Sequence, residues 1–179
     1  MHNPLILDPG NGVSLKFDAA KAKGFSCLSV KSGVVIISGD LPCGLKAQND
    51  AVVRVSGSVH GNALAYDLAQ VNIGSVQLNA ESHDKSHLNA GTVMGDAFAH
   101  DMSSLTVSLV KGNAYSFGES KLSANVVEKT AECSQQSVMR IQSALKAVSN
   151  GGTLYVKEAG VILDISSPPL SSSKKRKII

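Results

Sequence analysis

The sequence predicts an all-β protein, a right-handed parallel β-solenoid of about six coils of 17–18 residues, and three observations lead there. A unit of about 17 residues repeats in register over 52–69, 70–86, 87–103, 104–120 and 121–137, with a fainter copy at 34–49. Residues one period apart are chemically alike. Within each unit apolar and polar residues alternate with a period of two, the mark of a strand with one face turned inward.

Five columns carry the argument. Val53, Val71, Leu88, Leu105 and Leu122 form the first; Val55, Ile73, Ala90, Val107 and Ala124 form the second. Between them lie Arg54, Asn72, Asn89, Thr106 and Ser123, all polar. Val59, Val76, Val93, Val110 and Val127 form the third, and Ala63, Ala80, Ala97, Ala114 and Ala131 the fourth. Ala65, Ser82, Ala99, Ser116 and Cys133 complete the small-residue side. Each coil thus holds about three short strands, which pair in parallel with their copies about 4.8 Å away. The handedness of parallel crossovers favours a right-handed winding. A left-handed hexapeptide helix needs an aliphatic residue every sixth position; counting from Val59 the phase is lost at Gln77 and His83. That removes the acyltransferase-type and γ-carbonic-anhydrase-type readings. A unit this short is also too small for a helix pair.

The flanks divide the chain further. Residues 1–33 read as an N-terminal cap or an irregular first coil, with Val13, Leu15 and Phe17 alternating like a strand and 18–24 as a helical turn or loop. Residues 34–133 are the solenoid core. Over 134–165 the period breaks: Ser134 is placed to cap a helix whose apolar face carries Val138, Ile141, Ala144 or Leu145, and Val148. Asn150-Gly151-Gly152 ends that helix, and 153–165 follows as two strands, a hairpin or a last wrap. Helix and hairpin together are expected to cap one end of the core. Residues 166–179, rich in Ser and Pro and then basic, read as a disordered tail.

Composition narrows function. The formal charge is +3, but Lys174, Lys175, Arg176 and Lys177 supply four positives, leaving a body near −1. A nucleic-acid-binding body is not expected. The basic run is read as a targeting or surface element: a solubilising end, a foot for an anionic membrane, or a nuclear-import patch. No secretory leader or apolar span stands out. Three cysteines without metal-ligand spacing point to a reducing, cytoplasmic compartment; secretion into a host cell, with nuclear entry, is the alternative.

Two sets of columns bear on chemistry. The corner Gly61-Asn62, Asn79, Gly95-Asp96 and Gly112-Asn113 reads as scaffolding, with Asn side chains bonding along the axis. Tyr66, His83, His100 and Phe117 share one phase and are expected to stack; Asp67, Asp84 and Asp101 share the next. His83, Asp84, His100 and Asp101 are therefore the candidate cation ligands, against a pH-sensitive edge or a solvated turn as the other readings. Side chains of neighbouring residues in an extended stretch point apart, which weakens the cation reading. No nucleophile–base motif, phosphate loop or metal-binding helix motif occurs, so neither catalysis nor a cofactor is expected.

The unit Val-x-Gly-Asn/Asp-Ala-x-Ala/Ser, at 59–65, 93–99 and 110–116, resembles the winding unit of bactofilins. The resemblance covers roughly 34–133. It implies a cytoskeletal scaffold that polymerises without nucleotide through its coil ends, hence a homo-oligomer. The Ser-Gly-Ser-Val-His-Gly-Asn stretch at 56–62 also resembles repeats of GIN-type adhesin heads. The second functional reading follows from a different class: a monomeric module that binds a protein partner with one solenoid face.

Overall fold

The computed structural model describes residues 3–157 and 162–164. Seventeen strands follow in chain order. The first coils hold β1 (Leu5–Leu7), β2 (Ser14–Asp18), β3 (Cys27–Val30), β4 (Val34–Ser38) and β5 (Gly44–Ala47). The regular coils hold β6 (Val52–Val59), β7 (Ala63–Ala65), β8 (Gln70–Val76), β9 (Ala80–Ser82), β10 (His87–Val93), β11 (Ala97–Ala99), β12 (Ser104–Val110) and β13 (Ala114–Ser116). The last coils hold β14 (Lys121–Ser134), β15 (Val138–Asn150), β16 (Thr153–Val156) and β17 (Ile162–Asp164). Every strand pairs in parallel with its counterpart one coil away, so the chain winds into a parallel β-solenoid of about eight turns.

The sequence columns are the structural rungs. Val71 pairs with Leu88, Leu88 with Leu105 and Leu105 with Leu122. On the short-strand side Ala63, Ala80, Ala97, Ala114 and Ala131 stack in turn. The first-column side chains and the Ala column are sealed from solvent, each at 1% exposure or less. Such a core is narrow because small residues let the two walls approach, and no coil buries its apolar face without its neighbours. Gly61 marks how close the corners come. A Cβ built there would meet the backbone nitrogen of Gly44 at 2.6 Å, so only glycine fits.

Of the two readings of the N-terminal stretch, the described residues 3–33 follow the irregular first coil: Ser14 pairs with Val34, a step of twenty residues rather than seventeen. The surplus is absorbed by a 3-10 turn over Ala19–Ala22, whose start is capped by Asp18 Oδ1 accepting from Ala20 N at 3.0 Å.

The helix expected after Ser134 does not form. Val138–Asn150 is the long strand β15, paired in parallel along β14, with Met139, Ile141 and Ala147 inward and Leu145 67% exposed. Nor do the next two strands make a hairpin. Thr153–Val156 and Ile162–Asp164 both pair in parallel with β15, so the solenoid winds on and takes in more than six coils. The physical reason is a shortening step. Lys121 pairs with Val138 at 17 residues, Thr130 with Lys146 at 16 after an irregularity at Val127, and Val138 with Thr153 at 15. Two strands joined at a corner that has lost a residue place apolar side chains at spacings that mimic a helical face. Residues 158–161 and 165, the rest of the stretch expected to cap the core, lie outside the described residues. The basic run 174–177 and the tail lie outside the described residues.

Candidate functional site

After each short strand the chain turns sharply through four residues. In three successive coils the turn is Tyr66-Asp67-Leu68-Ala69, His83-Asp84-Lys85-Ser86 and His100-Asp101-Met102-Ser103. Each closes with the fourth residue's N–H donating to the first residue's carbonyl, at 3.0 Å in all three. The second position has positive φ: 58° at Asp67, 57° at Asp84 and 57° at Asp101. Asn49, Gly118 and Gln135 occupy the same position with the same sign. Asp, Asn and Gly tolerate this left-handed conformation best, which explains the column in terms of backbone.

The Asp carboxylates also hold coils together. Asp67 Oδ2 accepts from Asn49 N at 2.9 Å, Asp84 Oδ2 from Asp67 N at 3.2 Å, and Asp101 Oδ2 from Asp84 N at 3.3 Å. Gln135 Oε1 does the same for Gly118 N at 2.7 Å. These oxygens thus have a structural task already. Beside them runs a shallow cleft of about 480 Å³ lined by Asp67, Leu68, Asp84, Lys85, Asp101 and Met102. Among the described residues no group of three or more His, Cys, Asp or Glu is arranged to hold a metal ion.

The rings at the first turn position stack as the sequence columns foretell. Tyr66 and His83 have centroids 4.7 Å apart and planes within 8°; His83 and His100 are 4.5 Å apart within 5°; His100 and Phe117 are 5.2 Å apart within 17°. A second column, overlooked at the sequence level, runs beside it: Phe98 and Tyr115 stack at 5.1 Å and each lies 6.1 Å from a ring of the first column. The signal was present, because Phe98 and Tyr115 are 17 residues apart and stand outward between inward small residues, Ala97 and Ala99 in one coil and Ala114 and Ser116 in the next. Six parallel rings therefore cover one side face over four coils.

Charge is sparse on this face and sits around the rings. His83 Nε2 is 3.4 Å from Glu81 Oε2. Lys46 Nζ lies 5.0 Å from the Tyr66 ring centroid, a cation–π contact at the N-terminal end of the column. Burial and the neighbouring His83 push the His100 pKa below its ordinary value, against the opposing pull of Asp101 and Glu81. Burial, then Glu81 and Asp84, push the Tyr66 phenol up; burial, then Asp96 and Glu132, do the same at Tyr115. Burial thus favours the neutral forms of His100, Tyr66 and Tyr115.

Elsewhere polar columns are scaffolding. At the Asn corner the side-chain oxygen accepts from the backbone of the following coil: Asn62 Oδ1 from Asn79 N at 3.1 Å, Asn79 Oδ1 from Asp96 N at 2.9 Å, and Asn113 Oδ1 from Thr130 N at 3.2 Å. A buried serine column, Ser86, Ser103, Ser120 and Ser137, was also overlooked although its spacing is 17 throughout. Each Oγ donates to a carbonyl of the preceding coil, at Ala65, Ser82, Ala99 and Ser116, over 2.8–3.0 Å.

Comparison with known proteins finds no matching family model, no matching curated protein and no matching solved structure. The site must speak through its own chemistry. Cys27, Cys43 and Cys133 are free thiols. Burial, then Cys43, drives the Cys27 pKa up to about 11, and burial raises those of Cys43 and Cys133, so none has thiolate character. Cys133 is fully buried in the small-residue column, as its position in the repeat implies. Among the described residues no helix is long and apolar enough to cross a membrane.

Proposed function

We propose that this chain is a non-enzymatic structural scaffold that self-associates end to end, in the manner its winding unit's resemblance to bactofilins implies. The observation supporting it is the state of the first coil. β1 pairs only with β3, and β2 only with β4, whereas strands of the inner coils pair on both sides. Among the described residues nothing covers the outer edge of β2. A row of free N–H and C=O groups is a template for another strand. Apolar side chains accompany it: Val13 is 48% exposed, Phe25 37% exposed, and Leu15 only half-buried. In the inner coils the equivalents of Leu15 are sealed, as at Val35 and Val53. A second coil laid on this edge would continue both the ladder and the core.

Three free cysteines suit a reducing compartment, and on that ground we propose the cytoplasm as the place of work. Electron microscopy with sedimentation velocity across a concentration series tests the reading. Concentration-dependent filaments or end-to-end oligomers are expected, and Leu15→Asp should abolish them by putting a charge on the joining face. A strictly monomeric protein would discard the scaffold in favour of a binding module.

A further inference from the structure

We propose that the aromatic side face is a second self-association surface, on which another copy of this chain docks antiparallel about a two-fold axis lying across the face. The proposal goes beyond end-to-end assembly, because it uses a different surface and does not require an open coil end.

Two outward columns define the face. Along one, successive coils present Lys46, Leu64, Glu81, Phe98, Tyr115 and Glu132. Along the other they present Gln48, Tyr66, His83, His100, Phe117 and Ser134, stepping by one coil each time. Four of the chain's seven Phe and Tyr residues stand here, partly exposed, although the core of this protein uses small aliphatics.

The ring geometry selects the occupant. Planes within 5–17° of one another and centroids 4.5–5.2 Å apart within each column mean that rings cover both faces of His83 and His100 and one face of each of the other four. Sugars and planar cofactors, which need an open ring face, find one only at the ends of the columns. Ring edges are what is offered, and those carry the positive side of the quadrupole.

The sequence of the columns is complementary to itself. A two-fold axis between the Glu81 and Phe98 rungs exchanges Lys46 with Glu132, Leu64 with Tyr115, and Glu81 with Phe98. In the other column it exchanges Gln48 with Ser134, Tyr66 with Phe117, and His83 with His100. Cation thus meets anion at both ends and apolar meets apolar inside them. The one unlike pair sets a carboxylate on a ring edge, which the quadrupole favours. An axis across the face keeps each column opposite its own copy, so all these pairings occur together.

Size sets the strength. Six rungs span about 24 Å at 4.8 Å spacing, and a two-column strip is about 10 Å wide, far below the ~800 Å² per partner of a standard interface. The contact is therefore weak, with a Kd on the order of 0.1 mM, and gains weight when end-to-end assembly aligns many copies.

Charge reversal tests it. Sedimentation equilibrium is run on the full chain carrying Leu15→Asp, which removes end-to-end joining and leaves the side face intact. A reversible dimer is expected. Lys46→Glu alone and Glu132→Lys alone should each weaken it at least tenfold, and the two together should restore it, with circular dichroism and melting confirming that each variant is folded. Three outcomes would overturn the proposal: a monomer throughout up to about 1 mM, single reversals without effect, or a double reversal that fails to restore. The same variants made without Leu15→Asp separate the two readings, because loss of the side face alone leaves single, unpaired filaments.

Discussion

The coils from Gln70 to Ser137 and the coils after them face the same packing problem and solve it with different step lengths. In the first region every rung advances by 17 residues. Its Leu column is sealed, and its turns are tied by Asp carboxylates and buried serines. In the second the step falls to 16 and then 15, and the turn chemistry thins out. Ser149, one coil beyond Cys133, donates forward to Gly152 O at 2.8 Å. The repeat is thus a means of satisfying every corner in the same way. The solenoid itself requires only that inward side chains stay apolar and that strands stay in parallel register.

The comparison can be broken first in the core. Leu105→Ala, in the uniform region, should cost about 3 kcal/mol, whereas Leu154→Ala, half-buried in the last coils, should cost about 1 kcal/mol. Urea titrations of the two variants measure the gap; equal losses would deny that the last coils are less tightly closed. Next come two serines from different columns, Ser103 of the buried serine column and Ser149 of the small-residue column. Ser103 Oγ donates to Ser82 O at 2.8 Å and accepts from His100 N at 3.1 Å inside the core. Ser103→Ala should lose about 1–2 kcal/mol and Ser149→Ala about 0.5 kcal/mol or less, because a buried unpaired group is the costly case.

At the turn, Asp84→Ala should lose about 1 kcal/mol, from positive φ and from the acceptor for Asp67 N. Asp84→Asn should be close to neutral, since Asn49 already fills the same position at φ 51°. The smallest effect is with pH. His100 has a folded pKa below its ordinary value of 6.5, so the unfolded chain takes up the proton first. Stability from this group is whole above pH 6.5, falls as pH drops from there toward the lower folded value, and then levels off. Melting temperatures of the native chain and of His100→Phe, which copies Phe117 of the next coil, should diverge only in that window.

What the sequence made legible follows from one physical fact: inward and corner positions are constrained in every coil, so their chemistry repeats. The Val, Leu and Ala columns, the Asn corner and the Tyr66–Phe117 stack were all visible for that reason. The Phe98–Tyr115 pair was not, because the same outward column also holds Lys46, Leu64, Glu81 and Glu132, and outward positions carry little constraint. Residues 138–150 were misread as a helix because the shortened corner shifts the phase. Val138, Ile141 and Val148 then fall at helical spacing although the buried residues are Met139, Ile141 and Ala147. In the carboxylate column one oxygen of each Asp, Oδ2, accepts from a backbone N–H of the preceding coil, a partner that leaves no trace in side-chain spacing.

The central claim is that positions one coil apart lie over each other along a single axis from Ser14 to the last coils. Spin-label distances test it most directly, with Arg54→Cys paired in turn with Ser123→Cys, Arg140→Cys and Tyr155→Cys, after the native cysteines are changed to serine. These four positions share one outward column. The distances should rise in equal steps, about 19, 24 and 29 Å, although the last step adds only 15 residues. A distance to 155 that breaks the progression, or one to 140 that falls well off 24 Å, would contradict a continuous solenoid.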